Sequence, residues 1–153
     1  METGRTLTGP KAGFTIIEVV AVLLIMAVIT AVALSRMSDV DQFDLSSQVE
    51  VVKNHLRYAQ SRAMSSGSEW GIHFASGTTY YLFQGLGSTT PVILPGEDST
   101  LVNLAAKNSQ LTITPPNSNR VTFDGFGSPG GTTTTITTSG GNIVVTRNTG
   151  FIP

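Results

Sequence analysis

The sequence predicts an α+β chain in which a long N-terminal helix, membrane-spanning in its first half, packs on a C-terminal antiparallel β domain of two small sheets. Three observations carry this reading. Residues 14–66 contain no Gly and no Pro, whereas 13 of the 16 Gly and six of the 7 Pro lie at or after Gly67. Inside that unbroken stretch an apolar run of membrane length passes into an amphipathic stripe. Beyond it, short β-prone runs alternate with clusters of Ser, Thr, Gly, Asn and Pro.

The first element is the apolar run FTIIEVVAVLLIMAVITAVAL at residues 14–34, interrupted only by Thr15, Glu18 and Thr30. As a helix rising about 1.5 Å per residue it spans roughly 31 Å, the thickness of a bilayer's hydrocarbon core. A strand of this length would leave its backbone unpaired in lipid. Arg5 and Lys11 precede it, so the excess of positive charge assigns the N-terminus to the cytoplasm and the remainder to the far side. A cleaved secretory signal with Ala31-Val32-Ala33 as cutting site, leaving a mature end at Leu34, is the competing reading. Against it, the run exceeds the usual h-region of about 7–15 residues, and Glu18 interrupts it.

Leu45, Val49, Val52, Leu56, Ala59 and Ala63 then recur at spacings of four and three, which makes one apolar face on a helix, read as the core face of the β domain. Ser47 and Glu50 have capping-box spacing. A second helix starting there and one continuous helix, loosened over 38–44 where Asp39, Asp41 and Asp44 crowd, both satisfy the pattern. Gly67 is the natural terminator.

Strands are expected over 70–74 and 78–83, joined at Ser76-Gly77, then over 92–94, 111–114, 121–123, 133–138 and 143–147, with Gly140-Gly141 turning between the last two. Loops at 85–91, 95–110 and 125–131 are expected to be exposed.

Composition excludes several functions. Charged residues make up 12% of the 153, against roughly 25% in an ordinary soluble domain. The 40% hydrophobic content argues against wholesale disorder. A net charge of −1 argues against a generally basic nucleic-acid binder. With no cysteine there are no disulfides, thiolate metal sites or Cys nucleophiles. Residues 125–130 match G-x-G-x-x-G, but Pro129 and a Thr-rich strand stand where a phosphate-binding helix should open. His55 and His73 are read as surface or partly buried polar residues, and Glu97, Asp98 and Asp124 lack calcium-loop spacing. No enzyme activity, metal or cofactor is predicted.

At the N-terminus a family resemblance emerges. KAGFTIIEVV, residues 11–20, resembles the processing site of type IV prepilins and of the pseudopilins of type II secretion: a basic residue, Gly, then Phe, and Glu as fifth residue after the cut. The resemblance implies cleavage between Gly13 and Phe14 by a membrane-embedded prepilin peptidase. It further implies N-methylation of Phe14, and attraction between Glu18 and the N-terminal amine of a neighbouring subunit during filament assembly. Such pairing offsets the cost of a carboxylate in lipid. The organisation implied is a cytoplasmic leader over 1–13, a transmembrane and filament-core helix over 14–34, its amphipathic continuation over 35–66, and a β domain over 67–153. One departure is that Ser35-Arg36 stands where many pilins carry a helix-kinking proline.

Downstream, HLRYAQSRAMSSGSEWGIHF at 55–74 and the closing VTFDGFGSPGG…NIVVTRNTGFI are similar to H-type minor pseudopilins and related minor pilins, with Gln60 where that family often has Arg. This implies a structural minor pseudopilin of type II secretion, single-pass in a bacterial inner membrane, with its globular domain periplasmic. Its implied partners are the prepilin peptidase and other pseudopilins or pilins in a hetero-oligomeric filament. The alternative is a minor type IV pilin involved in pilus assembly or DNA uptake. After residue 13 there are seven Lys and Arg against nine Asp and Glu, so DNA is not expected as a partner beyond a local patch of Lys107, Arg120 and Arg147.

Overall fold

The computed structural model describes residues 13–85 and 90–153; the expected leader up to residue 12 and positions 86–89 of the 85–91 loop lie outside them. The chain divides into two compact units, Met1–Asp39 and Val40–Pro153. One helix, α1 (Ile16–Ser66), runs for 51 residues. It passes through 38–44 and through Ser47 without a break, so the capping-box reading at Ser47 is corrected. The Glu50 carboxylate instead meets Lys53 Nζ at 2.8 Å and Arg57 Nη1 at 3.5 Å on the helix surface. The Ser65 and Ser66 hydroxyls donate to the Arg62 carbonyl in the last turn, and Gly67 at φ +62° ends the helix in the left-handed region.

In the second unit the predicted stripe becomes the core. Val49, Val52, Leu56, Ala59 and Ala63 are buried, and Leu45 is half-buried. They join one apolar cluster with Trp70, Ile72, Phe74, Tyr80, Leu82, Val121, Phe123, Ile136, Ile143 and Val145. Ala59 and Ala63 are fully covered, small side chains that let other elements approach the helix backbone.

Among the described residues the strands form two antiparallel sheets. The first has the order β3 (Pro91–Val92), β2 (Thr79–Gln84), β1 (Trp70–Phe74), β6 (Arg120–Phe123), with β4 (Val102–Asn103) also pairing β2. Its register sets Ile72 opposite both Leu82 and Val121, so alternate apolar residues share the buried face. The second sheet has the order β5 (Ile113–Thr114), β7 (Thr134–Thr138), β8 (Gly141–Val145). Ser139-Gly140 turns between β7 and β8, one residue from the predicted hairpin.

The expected exposed loop at 95–110 is the main difference. It contains β4 and a single-turn helix, α2 (Leu104–Lys107), capped by the Asn103 side chain. Val102 and Leu104 are buried, and the Leu104 N–H donates to the Thr78 carbonyl. Strands of two residues carry no detectable alternation, and their partners lie about twenty residues away, which is why periodicity misses them. Leu94 and Leu111, expected in strands, are buried just outside the ladders.

Candidate functional site

The predicted processing and assembly residues lie at the start of α1. Thr15 caps the helix: its carbonyl accepts from the N–H groups of Glu18 at 3.1 Å and Val19 at 3.2 Å, and its hydroxyl accepts from Glu18 N–H at 3.3 Å. Thr15 therefore fixes where the helix begins and sets Glu18 in the first turn, where the helix dipole favours a carboxylate. The T-x-x-E spacing of Thr15 and Glu18 was the available sequence signal for this cap. Gly13 precedes the helix, and among the described residues no atom beyond its chain neighbours lies within 4 Å of where its Cβ would be. Phe14 is 83% exposed.

Phe14, Glu18, Val19, Val22 and Leu23 line one shallow groove of about 250 Å³. The structure thus brings the predicted Phe14 and Glu18 together on one face. Every side chain from residue 13 to 34 is exposed, and Ile16–Leu34 is long and apolar enough to cross a membrane. Thr30 fits this run because its hydroxyl donates to the Met26 carbonyl at 2.7 Å.

The polar residues of the second unit are arranged for structure. His55, expected at the surface or partly buried, is buried on α1, with Nδ1 2.8 Å from the Tyr80 hydroxyl and Nε2 3.9 Å from Glu97 Oε1. Burial pushes its pKa down, and the Lys107 ammonium adds to this against the opposite pull of Glu97. Burial also raises the Tyr80 hydroxyl, so it stays protonated. Glu97 is not an isolated loop acid: its side chain is 9% exposed and paired with Lys107. Asp124 accepts the N–H groups of Phe126 and Ser128, each at 2.9 Å, which makes it the organiser of a tight turn. His73 stacks on Tyr81 at 4.9 Å, and burial lowers its pKa, with Arg120 adding to the shift. Of the three bases proposed as a patch, Lys107 is tied to Glu97 and Arg120 lies over the Phe83 ring at 5.7 Å. Among the described residues there is no group of three or more His, Cys, Asp or Glu able to hold a metal ion.

Comparison with known proteins matches this architecture. The family model described as type II transport protein GspH matches residues 48–150. The chain belongs to the GspH family. A second model, the prokaryotic N-terminal methylation motif, matches residues 9–34, over the groove-forming start of α1. The type IV minor pilin FimU of Pseudomonas aeruginosa strain PAO1 has a similar fold, with a TM-score of 0.52 at 20% identity over 71% of this chain and 86% of that one. A second crystal form of FimU gives 0.45 at 18% identity over 75% and 90%. No curated protein sequence matches the chain. As a GspH-family protein with an N-terminal assembly helix, it has the general role of a structural type IV pilin or pseudopilin family member. No catalytic motif appears in its sequence.

Proposed function

We propose that this chain is a structural minor pseudopilin of a type II secretion pseudopilus. The observation that carries the reading is the joint presence of a GspH match over 48–150 and an N-terminal methylation motif over 9–34 in one chain. In this reading the chain inserts once into the inner membrane, with residues 1–13 cytoplasmic and the β domain periplasmic. Prepilin peptidase cuts between Gly13 and Phe14 and the new Phe14 amine is methylated. The mature chain then joins other pseudopilins through residues 14–34, with Glu18 attracting the N-terminal amine of a neighbouring subunit. The exposure of Phe14 and Glu18 on one groove supports this, since both are accessible to another chain. Pairing of that carboxylate with an amine inside the filament offsets the cost of burying it.

The test is expression of the full chain in a secreting host, with intact-mass analysis of the mature protein and recovery of filaments. Glu18→Ala is expected to keep the cut and the methyl group but to lower incorporation about tenfold or more. Normal incorporation sinks the assembly role, and a mature end other than Phe14 sinks the processing site. A second reading, a minor subunit of a type IV pilus, draws on the fold shared with the minor pilin FimU. Deletion separates the two: loss of exoprotein secretion with intact pili supports the first, and loss of pili with intact secretion supports the second.

A further inference from the structure

Residues 94–107 form a strap beside the second half of α1. Its ends are secured by buried Leu94, Val102 and Leu104 and by the pairing of β4 with β2. Between them lies 95–101, where Pro95, Gly96, Asp98, Ser99 and Leu101 are exposed and the Glu97 side chain turns inward. Helix and strap enclose a cleft of about 460 Å³, with Asn54, His55 and Tyr58 on one wall and Pro95, Glu97 and Lys107 on the other.

We propose that His55, Glu97 and Lys107 form an acid-sensitive clasp, which holds 95–101 against α1 at neutral pH and releases it when the His55 imidazole takes up a proton. The groups facing His55 are few and each acts on that proton. From β2, the Tyr80 hydroxyl lies 2.8 Å from Nδ1. From the strap, the Glu97 carboxylate lies 3.9 Å from Nε2, with the Pro95 carbonyl close by. From α2, the Lys107 ammonium is bonded to that same carboxylate oxygen. These neighbours assign the neutral tautomer: the Nε2 proton faces Glu97, and Nδ1 accepts the Tyr80 hydroxyl proton. A second proton must enter at Nδ1. Tyr80 then has to turn from donor to acceptor, and the imidazolium competes with Lys107 for one buried carboxylate.

Burial is the largest influence on His55 and lowers its pKa below the ordinary 6.5; Glu97 and the Pro95 carbonyl pull the other way without reversing it, and Lys107 adds to the lowering. A histidine lowered in the closed state stabilises that state fully above its ordinary value, and the stabilisation is lost as pH falls below it. Acid therefore opens the strap and uncovers the face of α1 that carries His55 and Tyr58.

Hydrogen–deuterium exchange of the full chain in detergent micelles tests this, with rates over 96–101, the Glu97 amide on the Leu94 carbonyl above all, corrected for intrinsic pH dependence. Lowering the pH from 7.5 to 5.5 is expected to raise the opening constant of this segment, by at most about tenfold, while β7 and β8 keep their protection. His55→Gln should abolish the pH response. Lys107→Met, a change at a part-exposed site, should weaken it by removing a charge that opposes protonation. Equal protection of the wild-type segment at both pH values overturns the clasp, as does a full acid response in His55→Gln. An undiminished response in Lys107→Met overturns the role given to the ion pair.

Discussion

Gln60 ties three backbone segments together. From the helix its amide donates to the Gly127 carbonyl at 2.8 Å and to the Thr149 carbonyl at 2.9 Å, so the turn at 124–128 and the closing loop are fastened to α1 by one side chain. Three residues earlier, Arg57 donates to the Ile152 carbonyl at 3.1 Å and secures the end of the chain. Gly150 completes the junction at φ +63°: a Cβ there would lie 2.3 Å from the Gly127 oxygen and 2.4 Å from Gln60 Nε2. Gln60→Ala removes one donor from two carbonyls and is expected to destabilise the chain by about 1–3 kcal/mol. Gly150→Ala should cost at least as much, because the new methyl group meets the Gly127 backbone oxygen as well as the Gln60 amide, at a positive φ. Phe126, 92% exposed on the neighbouring turn, is the control: Phe126→Ser should stay within about 0.5 kcal/mol. Urea midpoints of the three variants in the full chain check the ranking, and a larger loss at Phe126 than at Gln60 would refute it.

Among the elements, the second half of α1 does most to organise the β unit, because one face of it supplies part of the core that both sheets share. Leu56, with no exposed surface, sits midway along that face. Leu56→Ala is expected to cost about 2–5 kcal/mol, through lost burial and the cavity left behind. Ala59→Leu should cost about 1–3 kcal/mol by overfilling a site where nothing larger fits. Thermal unfolding followed by near-ultraviolet dichroism reads both, and a neutral Leu56→Ala would show that this face is not the core. The stripe was legible in sequence because helical periodicity is a local property, and so were Gly67 as terminator and the longer strands. The clasp was not legible. His55, Tyr80, Glu97 and Lys107 are brought together from four elements, and nothing local in the sequence distinguishes Glu97 from a solvated loop acid. At the N-terminus the pattern of Gly13, Phe14 and Glu18 was readable as a motif, and the T-x-x-E spacing carried the Thr15 cap that the hydrogen bonds then displayed.

For the whole molecule, the two units have opposite relations to their surroundings. Val40–Pro153 buries its own core, whereas the apolar side chains of Ile16–Leu34 are left exposed by the chain itself and require lipid or other subunits to cover them. A substitution at the centre of that run should therefore separate anchoring from folding. Ile25 is 59% exposed and lies at the middle of the span, so Ile25→Asp has little buried contact to lose. In a membrane it exchanges a favourable residue for a carboxylate at the bilayer centre, a change of about 3–4 kcal/mol in insertion. The expected outcome is a fall in the carbonate-resistant membrane fraction by tenfold or more, with the unfolding transition of the β unit unchanged. The reverse result, retention in the membrane with a lowered transition, would mean that the first half of α1 serves the fold of the β unit rather than its surroundings.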